Sequence, residues 1–131
     1  MSRPDASSTG LQNRAIESDL FESGRPILIS PPSPPRQIAT NVLVAWNCST
    51  EQARATAFAM PLLQQADRVT VLTVELNGKT TGEAILATAN SLGCDLLIKG
   101  AYTQSRLRQM IFGGATRHVL ANAALPVLLA H

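Results

Sequence analysis

Short apolar runs rich in β-branched residues alternate with helix-like segments along most of this 131-residue chain. The runs are almost continuously apolar, which is typical of strands covered on both faces of a parallel sheet. Strands that alternate with helices are typical of α/β domains. We therefore expect an open, doubly wound parallel sheet. The expected strands lie at 26–30, 41–46, 69–74, 96–98 and 126–130.

The segments between these strands carry helix signals. Ser49 or Thr50 is a candidate N-cap, and Glu51 follows in the first turn, where a negative charge complements the helix dipole. This helix is predicted to extend to about Ala66, with Pro61 kinking or splitting it. The later helices are predicted at 81–92 and within 103–122.

A proline-rich stretch at 31–35 divides the chain, because prolines donate no backbone hydrogen bond and favour an extended conformation. We predict an N-terminal segment at 1–36, with a disordered start, a short helix at 11–23 and a strand, followed by a domain at 37–131. Leu20 and Pro26 precede the first strand, and Leu120 and Pro126 precede the last one in the same way. This repetition fits a tandem protein of which only the last helix and strand of the first copy remain.

Composition argues against several classes of function. The net charge is +2, and three Phe, one Tyr and one Trp do not interleave with basic residues, so nucleic-acid binding is not expected. No apolar run has the length of a membrane span or the form of a signal peptide, so we expect a cytoplasmic protein without membrane contact. Cys48 and Cys94 have no metal or redox spacing; a disulfide stays open, but two thiols in a reducing compartment are favoured.

Catalytic groups are not paired in this sequence. Asp95 begins a predicted strand and Glu75 ends one, so the two carboxylates are expected at opposite edges of a parallel sheet. His118 is expected on the last helix as a surface or packing residue. We therefore predict that the chain is not an enzyme and binds no metal.

The segment 100–117 joins the end of a predicted strand to the start of the last helix, where ligands bind in open α/β sheets. Gly113 and Gly114 would let the backbone approach a phosphate, and the free N–H groups at 114–116 would point at it. Thr116 adds a hydroxyl, and Lys99, or an arginine at 106 or 108, adds positive charge. Equally, the glycines predict a tight turn that allows close packing of helix on sheet. Neither a Walker motif nor a G-x-G-x-x-G motif is present.

These residues resemble the universal stress protein family. The segments that carry the resemblance are 42–49, 69–75, 95–102, 105–120 and 126–129, within residues 38–131. The resemblance implies an adenine nucleotide alpha hydrolase-like sheet of five parallel strands in the order 3-2-1-4-5, commonly dimeric through the last strand. The helix and strand expected after Glu75 are missing, so we predict a sheet shortened by one helix–strand unit, with the order 2-1-4-5 and an exposed second strand.

ATP-binding members of the family are similar to the pattern G-x2-G-x9-G-[ST]. Gly100 and Gly113 are in register with it, whereas Thr103 replaces the middle glycine and Gly114 the hydroxyl residue. Asn47 stands where an aspartate is expected near the adenine. The residues that the resemblance implies for contact with ATP or AMP are Ala45, Asn47, Val74, Lys99, Gly100, Thr103, Gly113, Gly114, Ala115 and Thr116.

The resemblance implies a non-catalytic module of the stress response that acts through dimerisation or partner contact. The alternative is an ATP- or AMP-binding switch with an altered glycine loop. We expect a homodimer that forms through the last strand, the N-terminal strand Ile27–Ile29, or both. Ile27–Ile29 is further expected to pair with the last strand in place of a partner's edge, or to swap into a neighbouring chain.

Overall fold

The computed structural model describes residues 25–32, 36–46, 50–73, 78–100 and 114–130, with only the backbone for 78–80 and 114–115. The predicted helix at 11–23 lies outside these ranges. In chain order the described elements are β1 (Ile27–Ile29), β2 (Asn41–Trp46), α1 (Thr50–Gln65), β3 (Arg68–Thr73), α2 (Gly78–Leu92), β4 (Leu96–Gly100), α3 (Gly114–Asn122) and β5 (Val127–Ala130).

The described strands form one mixed, mostly parallel sheet in the order β1-β5-β4-β2-β3. β2 is parallel to β3 and β4, and β4 is parallel to β5. α1 connects β2 to β3 at one end of the sheet, and α2 crosses from β3 back to β4. The predicted α/β class and the predicted order of the four parallel strands are therefore confirmed.

One face of the sheet is covered by α1, which packs over β2, β4 and β5. Its inward side consists of small residues, among them Ala55 and Ala59, and these pack with Val42, Val44 and Ile98 of the sheet. Alanines let the helix axis approach the sheet closely because they carry only a Cβ atom.

The other face is covered by α2 and α3, which also pack against each other. Ile85 of α2 and Val119 of α3 share a core with Leu43, Leu97 and Leu129 of the sheet. Successive strand residues alternate between this core and the α1 core, as the two-residue period of a strand requires. All the central strands are therefore buried on both faces.

β1 closes the β5 edge of the sheet. It pairs antiparallel with β5, and Ile27, Leu28 and Ile29 lie opposite Leu129, Leu128 and Val127, respectively. Ile29 is 2% exposed, whereas Leu28 is 40% exposed. The prediction that this strand pairs with the last strand is confirmed, whereas its role in place of a partner's edge stays a prediction.

β3 forms the opposite edge. Val69 and Val71 lie opposite Val42 and Val44 of β2, so they are on the face that α1 covers farther along the sheet. They are nevertheless 42% and 60% exposed, because α1 packs over β2, β4 and β5. The predicted exposure of this strand is confirmed.

Two helix boundaries differ from the predictions. α1 is one continuous helix through Pro61, so of the two predicted effects of this proline the split is wrong and the kink stays a prediction. Pro61 and Ala57 are both exposed, so water can bind the Ala57 carbonyl that receives no N–H from a proline four residues later. α2 begins at Gly78, ahead of the predicted first residue at 81.

Asp95 ties the residues before β2 to the start of β4 at the amino edge of the sheet. Its carboxylate accepts hydrogen bonds from the backbone N–H groups of Thr40 and Asn41, both at 3.1 Å, and from the Thr40 hydroxyl. Ala39, just before, has a φ of 66°, a conformation that residues with a Cβ rarely adopt. The Asp95 contacts hold the chain in this turn, so Asp95 has a structural role.

Candidate functional site

The carboxyl ends of the parallel strands meet the starts of two helices. β2 ends at Trp46 and β4 at Gly100, whereas α1 begins at Thr50 and α3 at Gly114. The first N–H groups of a helix lack intrahelical acceptors, and the helix dipole favours an anion near them. In open α/β sheets ligands bind at this edge. It is therefore the candidate functional site.

Lys99 lies at this edge with only 7% of its surface exposed. Its Nζ donates a hydrogen bond to Thr116 Oγ1 at 2.9 Å and to the carbonyl oxygen of Gly100 at 3.1 Å. Thr116 is in the first turn of α3 and is 2% exposed. An ammonium group has three N–H donors; one of them joins β4 to the start of α3 through Thr116, and a second bonds the last carbonyl of β4.

Burial lowers the pKa of Lys99 to about 8 from the ordinary value of 10.5, because a low-dielectric surrounding disfavours the charged form. The ammonium form therefore predominates below this pH and the neutral amine above it. Loss of the charge would weaken the attraction of this site for an anion.

At Gly100, β4 comes close to the start of α1. Its N–H donates to Gln52 Oε1 at 3.0 Å, and Gln52 is completely buried. A Cβ at residue 100 would lie 2.9 Å from the backbone nitrogen of Gln52 and 3.0 Å from the carbonyl carbon of Glu51. Glycine is required here by packing, whether or not a ligand binds.

Ala45 lies on the same face of the sheet as Lys99. Val44 of β2 is opposite Ile98 of β4, so the same register places Ala45 next to Lys99. Ala45 is 6% exposed. The structure thus brings Ala45, Lys99 and Thr116 together beside the start of α3.

The remaining predicted site residues are only partly accounted for. Gly114 and Ala115 form the start of α3, directly before Thr116. Asn47, Val74, Thr103 and Gly113 lie outside the described residues, so their contact with a nucleotide stays a prediction.

Sequence reasoning missed Gln52 and Glu51, which are 0% and 6% exposed at the start of α1. The signal for Gln52 was its spacing, because it precedes the inward-facing Ala55 and Ala59 by three and seven residues. A glutamine at such a position is buried with its amide, which here accepts the hydrogen bond from Gly100.

A groove of about 480 Å³ lies between α2 and α3. It includes His118, whose carbonyl oxygen accepts a hydrogen bond from Asn122 Nδ2 at 2.9 Å. It also includes the free thiol of Cys94. Burial, together with the negative charge of Asp95, raises the pKa of Cys94 against an opposing effect of Arg68. A raised pKa disfavours the reactive thiolate.

No three His, Cys, Asp or Glu side chains of the described ranges are grouped so that they could hold a metal ion. None of the described helices combines the length and the apolar character needed to cross a membrane.

A comparison with models of protein families matches residues 49–131, more than half of the chain, to the universal stress protein family. The chain belongs to the universal stress protein family. Lys99, Gly100 and Thr116 lie within the match, whereas Ala45 of β2 lies before it.

The chain is also similar to a curated protein, the stress response protein NhaX of Bacillus subtilis (strain 168). The two are 31% identical over 80 residues, which are 61% of this chain and 46% of NhaX. The chain thus spans about half the length of this relative.

A solved structure has the same fold. It is that of a universal stress protein from Archaeoglobus fulgidus DSM 4304, with a TM-score of 0.67 and 18% identity. The similarity covers 88% of this chain and 54% of the other. It therefore extends beyond the segment that matches the family model.

Proposed function

We propose that this universal stress protein is a non-catalytic module of the stress response that acts through polypeptide contact, as a homodimer. The family match and the resemblance to a stress response protein support the biological setting. The observation that carries the mode of action is the pairing of β1 on β5.

β1 binds the edge of β5 as an extended, antiparallel strand. The Ile29 side chain is buried in the core, whereas the Leu28 side chain is 40% exposed. Antiparallel pairing is also the arrangement that two identical last strands make about a twofold axis. The β5 edge therefore has the shape and hydrogen-bonding groups to hold a strand from another chain. A homodimer could form at this end of the sheet by exchange of β1 between two copies, or by addition of a strand to β1.

The mass of the full chain in solution tests the homodimer. Size-exclusion chromatography with light scattering should give twice the monomer mass of 13.9 kDa. A monomer at every concentration would remove dimerisation from the proposal. Multiple-turnover hydrolysis of ATP that disappears on Thr116→Val or His118→Gln substitution would contradict the non-catalytic part.

The geometry at the strand ends favours a second candidate, an ATP- or AMP-binding switch. Lys99 Nζ, Thr116 Oγ1 and the start of α3 lie together, and positive charge with helical N–H groups is the chemistry that binds phosphate. The ammonium has a third donor in addition to its bonds with Thr116 and Gly100. Asn47 would lie near the base, and Gly113 and Gly114 near the phosphates.

A thermal shift with ATP and Mg²⁺ tests this candidate, because a ligand at a hundredfold excess over its Kd stabilises the folded state by about 2.7 kcal/mol. The shift should be lost in Lys99→Met and kept in Arg54→Met, which removes an exposed cation of α1. No shift of the wild-type chain at millimolar ATP would exclude the switch. An equal shift in Lys99→Met would exclude Lys99 from the site.

A further inference from the structure

Glu51 is a buried carboxylate without a partner in the protein. It lies in the first turn of α1 and is 6% exposed. None of the described residues donates a hydrogen bond to its carboxylate or forms an ion pair with it. Removing an unpaired charge from water is costly, and buried charges in proteins are usually paired or bound to a metal ion. The burial of Glu51 therefore points to a ligand that supplies the missing partner.

The dipole of α1 explains a glutamate at this end of the helix but not its burial. A negative charge near a helix start is also favourable at the protein surface. Ala53 and Arg54, in the same turn, are exposed, so the outer side of this turn is open to solvent. A glutamate that served the dipole alone would be suited to that side.

Glu51 and Lys99 lie on either side of Gly100 at the candidate site. The Cβ of Glu51 is 3.1 Å from the position that a Cβ of residue 100 would take. Lys99 Nζ is 3.1 Å from the Gly100 carbonyl oxygen. Lys99 is 7% exposed, and none of the described carboxylates forms an ion pair with it. Two buried, opposite charges therefore lie at one strand end without being joined, and a single ligand there can contact both.

The signs of these charges restrict the ligand. A phosphate bound by Lys99 and the start of α3 would bring a second negative charge towards Glu51, and like charges repel strongly where water is excluded. A cation between the phosphate and Glu51 removes this repulsion and gives the carboxylate its partner. A neutral group, such as a ribose hydroxyl, would supply only a hydrogen bond and leave the repulsion in place.

We propose that Glu51 binds the Mg²⁺ of a magnesium–nucleotide complex whose phosphates contact Lys99, Thr116 and the start of α3. This inference rests on the second candidate function, the nucleotide-binding switch, and adds a metal ligand to it. In proteins Mg²⁺ is usually bound through one or two carboxylates together with phosphates and waters. A single glutamate therefore suffices when a nucleotide is present, whereas Mg²⁺ alone should not bind.

Titrations of the full chain, followed by thermal shift, test the proposal with ATP and Mg²⁺, ATP and EDTA, and Mg²⁺ alone. The wild type should bind ATP about tenfold more weakly in EDTA, and Mg²⁺ alone should give no shift. Glu51→Gln keeps the size of the side chain but removes its charge, so its affinity for ATP should be the same with and without Mg²⁺. Glu83→Gln, at an exposed glutamate of α2, should keep the dependence of the wild type.

The contrary outcomes separate this metal contact from the switch itself. No shift of the wild type with ATP under either condition would remove both. Equal affinity of the wild type with and without Mg²⁺ would leave the switch and overturn the role of Glu51, as would a Mg²⁺ dependence that Glu51→Gln retains. If 2′,3′-dideoxy-ATP binds the wild type more weakly than ATP but binds Glu51→Gln equally well, Glu51 contacts the ribose and the metal contact is wrong.

The stability of the chain without nucleotide gives a second measurement. Glu51→Gln removes an unpaired buried charge, so the midpoint of urea unfolding at neutral pH should rise. Glu83→Gln should leave the midpoint unchanged, because surface substitutions have small effects. A lower midpoint for Glu51→Gln would show that the carboxylate already has a partner in the folded chain, and it would overturn the proposal.

Discussion

Lys99 and Gly100 are neighbours on β4, yet they serve opposite faces of the sheet. The Lys99 side chain reaches Thr116 of α3, whereas Gly100 lies against Gln52 at the start of α1. The two residues therefore fix the starts of both helices relative to one strand end. Either contact can be tested without any ligand.

Gly100→Ala should destabilise the chain in the absence of nucleotide. The added Cβ would lie 2.9 Å from the Gln52 backbone nitrogen, and overpacking of this kind costs about 1–3 kcal/mol. Urea unfolding should show the loss. Gly93 gives the contrast, because it has a φ of 66° and open space around the Cβ position, so Gly93→Asn should be close to neutral. A loss below about 0.5 kcal/mol in Gly100→Ala would mean that α1 moves away easily.

Lys99→Met should change the pH dependence of stability. The folded-state pKa of Lys99 is about 8, below its ordinary value of 10.5. Burial of the charged form therefore lowers the stability of the wild type in full below about pH 8. This loss of stability disappears as the pH rises to about 10.5, so the wild type becomes more stable over this range. The stability of the variant relative to the wild type should therefore fall over this range, by up to ~3 kcal/mol. Denaturant titrations from neutral to alkaline pH measure this difference.

Arg54→Met is the control for that experiment, because Arg54 is exposed on α1. Its stability relative to the wild type should not follow the same curve. A pH-independent difference for Lys99→Met would show that Lys99 is not buried as a cation.

At the scale of elements, the strands followed from the sequence more directly than their contacts. Continuous apolar runs predicted β2, β4 and β5, because strands buried on both faces have no polar alternation. The contact between Gly100 and Gln52 could not be predicted, because it depends on the distance between α1 and β4. The sizes of the side chains along the whole helix determine that distance. The same holds for Lys99, whose partner Thr116 follows it by 17 residues.

α1 is the element in which local propensity and packing disagree. Pro61 lies inside it and is exposed, while the alanines on its inner side are buried. Tertiary packing holds the helix together although proline is the least favourable residue in a helix interior.

Pro61→Ala should stabilise the chain by about 1–3 kcal/mol, because it restores a backbone donor to the Ala57 carbonyl and removes the ring that crowds it. The midpoint of urea unfolding measures the gain. Gln64→Ala on the exposed side of the same helix should change stability by less than about 0.5 kcal/mol. A destabilised Pro61→Ala variant would show that the ring makes contacts needed by the fold.

For the molecule as a whole, the two ends of the described sheet differ. At one end, β1 covers β5 and adds Ile29 to the core shared with α2 and α3. At the other end, β3 is the last of the described strands, and its Val69 and Val71 are exposed. The sequence predicted the exposure of β3 from the helix–strand unit missing after it, whereas the exposed fractions of Val69 and Val71 needed the structure.

Ile29→Ala should therefore destabilise the whole domain rather than only loosen β1. Removing most of a buried isoleucine side chain typically costs 2–5 kcal/mol, and Ile29 is 2% exposed. Leu28→Ala, at a 40% exposed neighbour, should cost about 1 kcal/mol or less. Hydrogen exchange of β5 amides should rise in Ile29→Ala and stay low in Leu28→Ala. Unchanged exchange in both would show that β5 is stable without β1.

The pairing of residue 27 with residue 129 also orders events during synthesis. β1 leaves the ribosome about a hundred residues before β5, the strand with which it pairs. Its hydrophobic residues therefore stay without this partner while the strands between them are synthesised. Once β5 emerges, β1 competes for it with the β1 strands of neighbouring nascent chains, and the closeness of its own tether decides in favour of the same chain. The preference of β5 for the β1 of its own chain should be weakest on polysomes, where nascent chains lie close together.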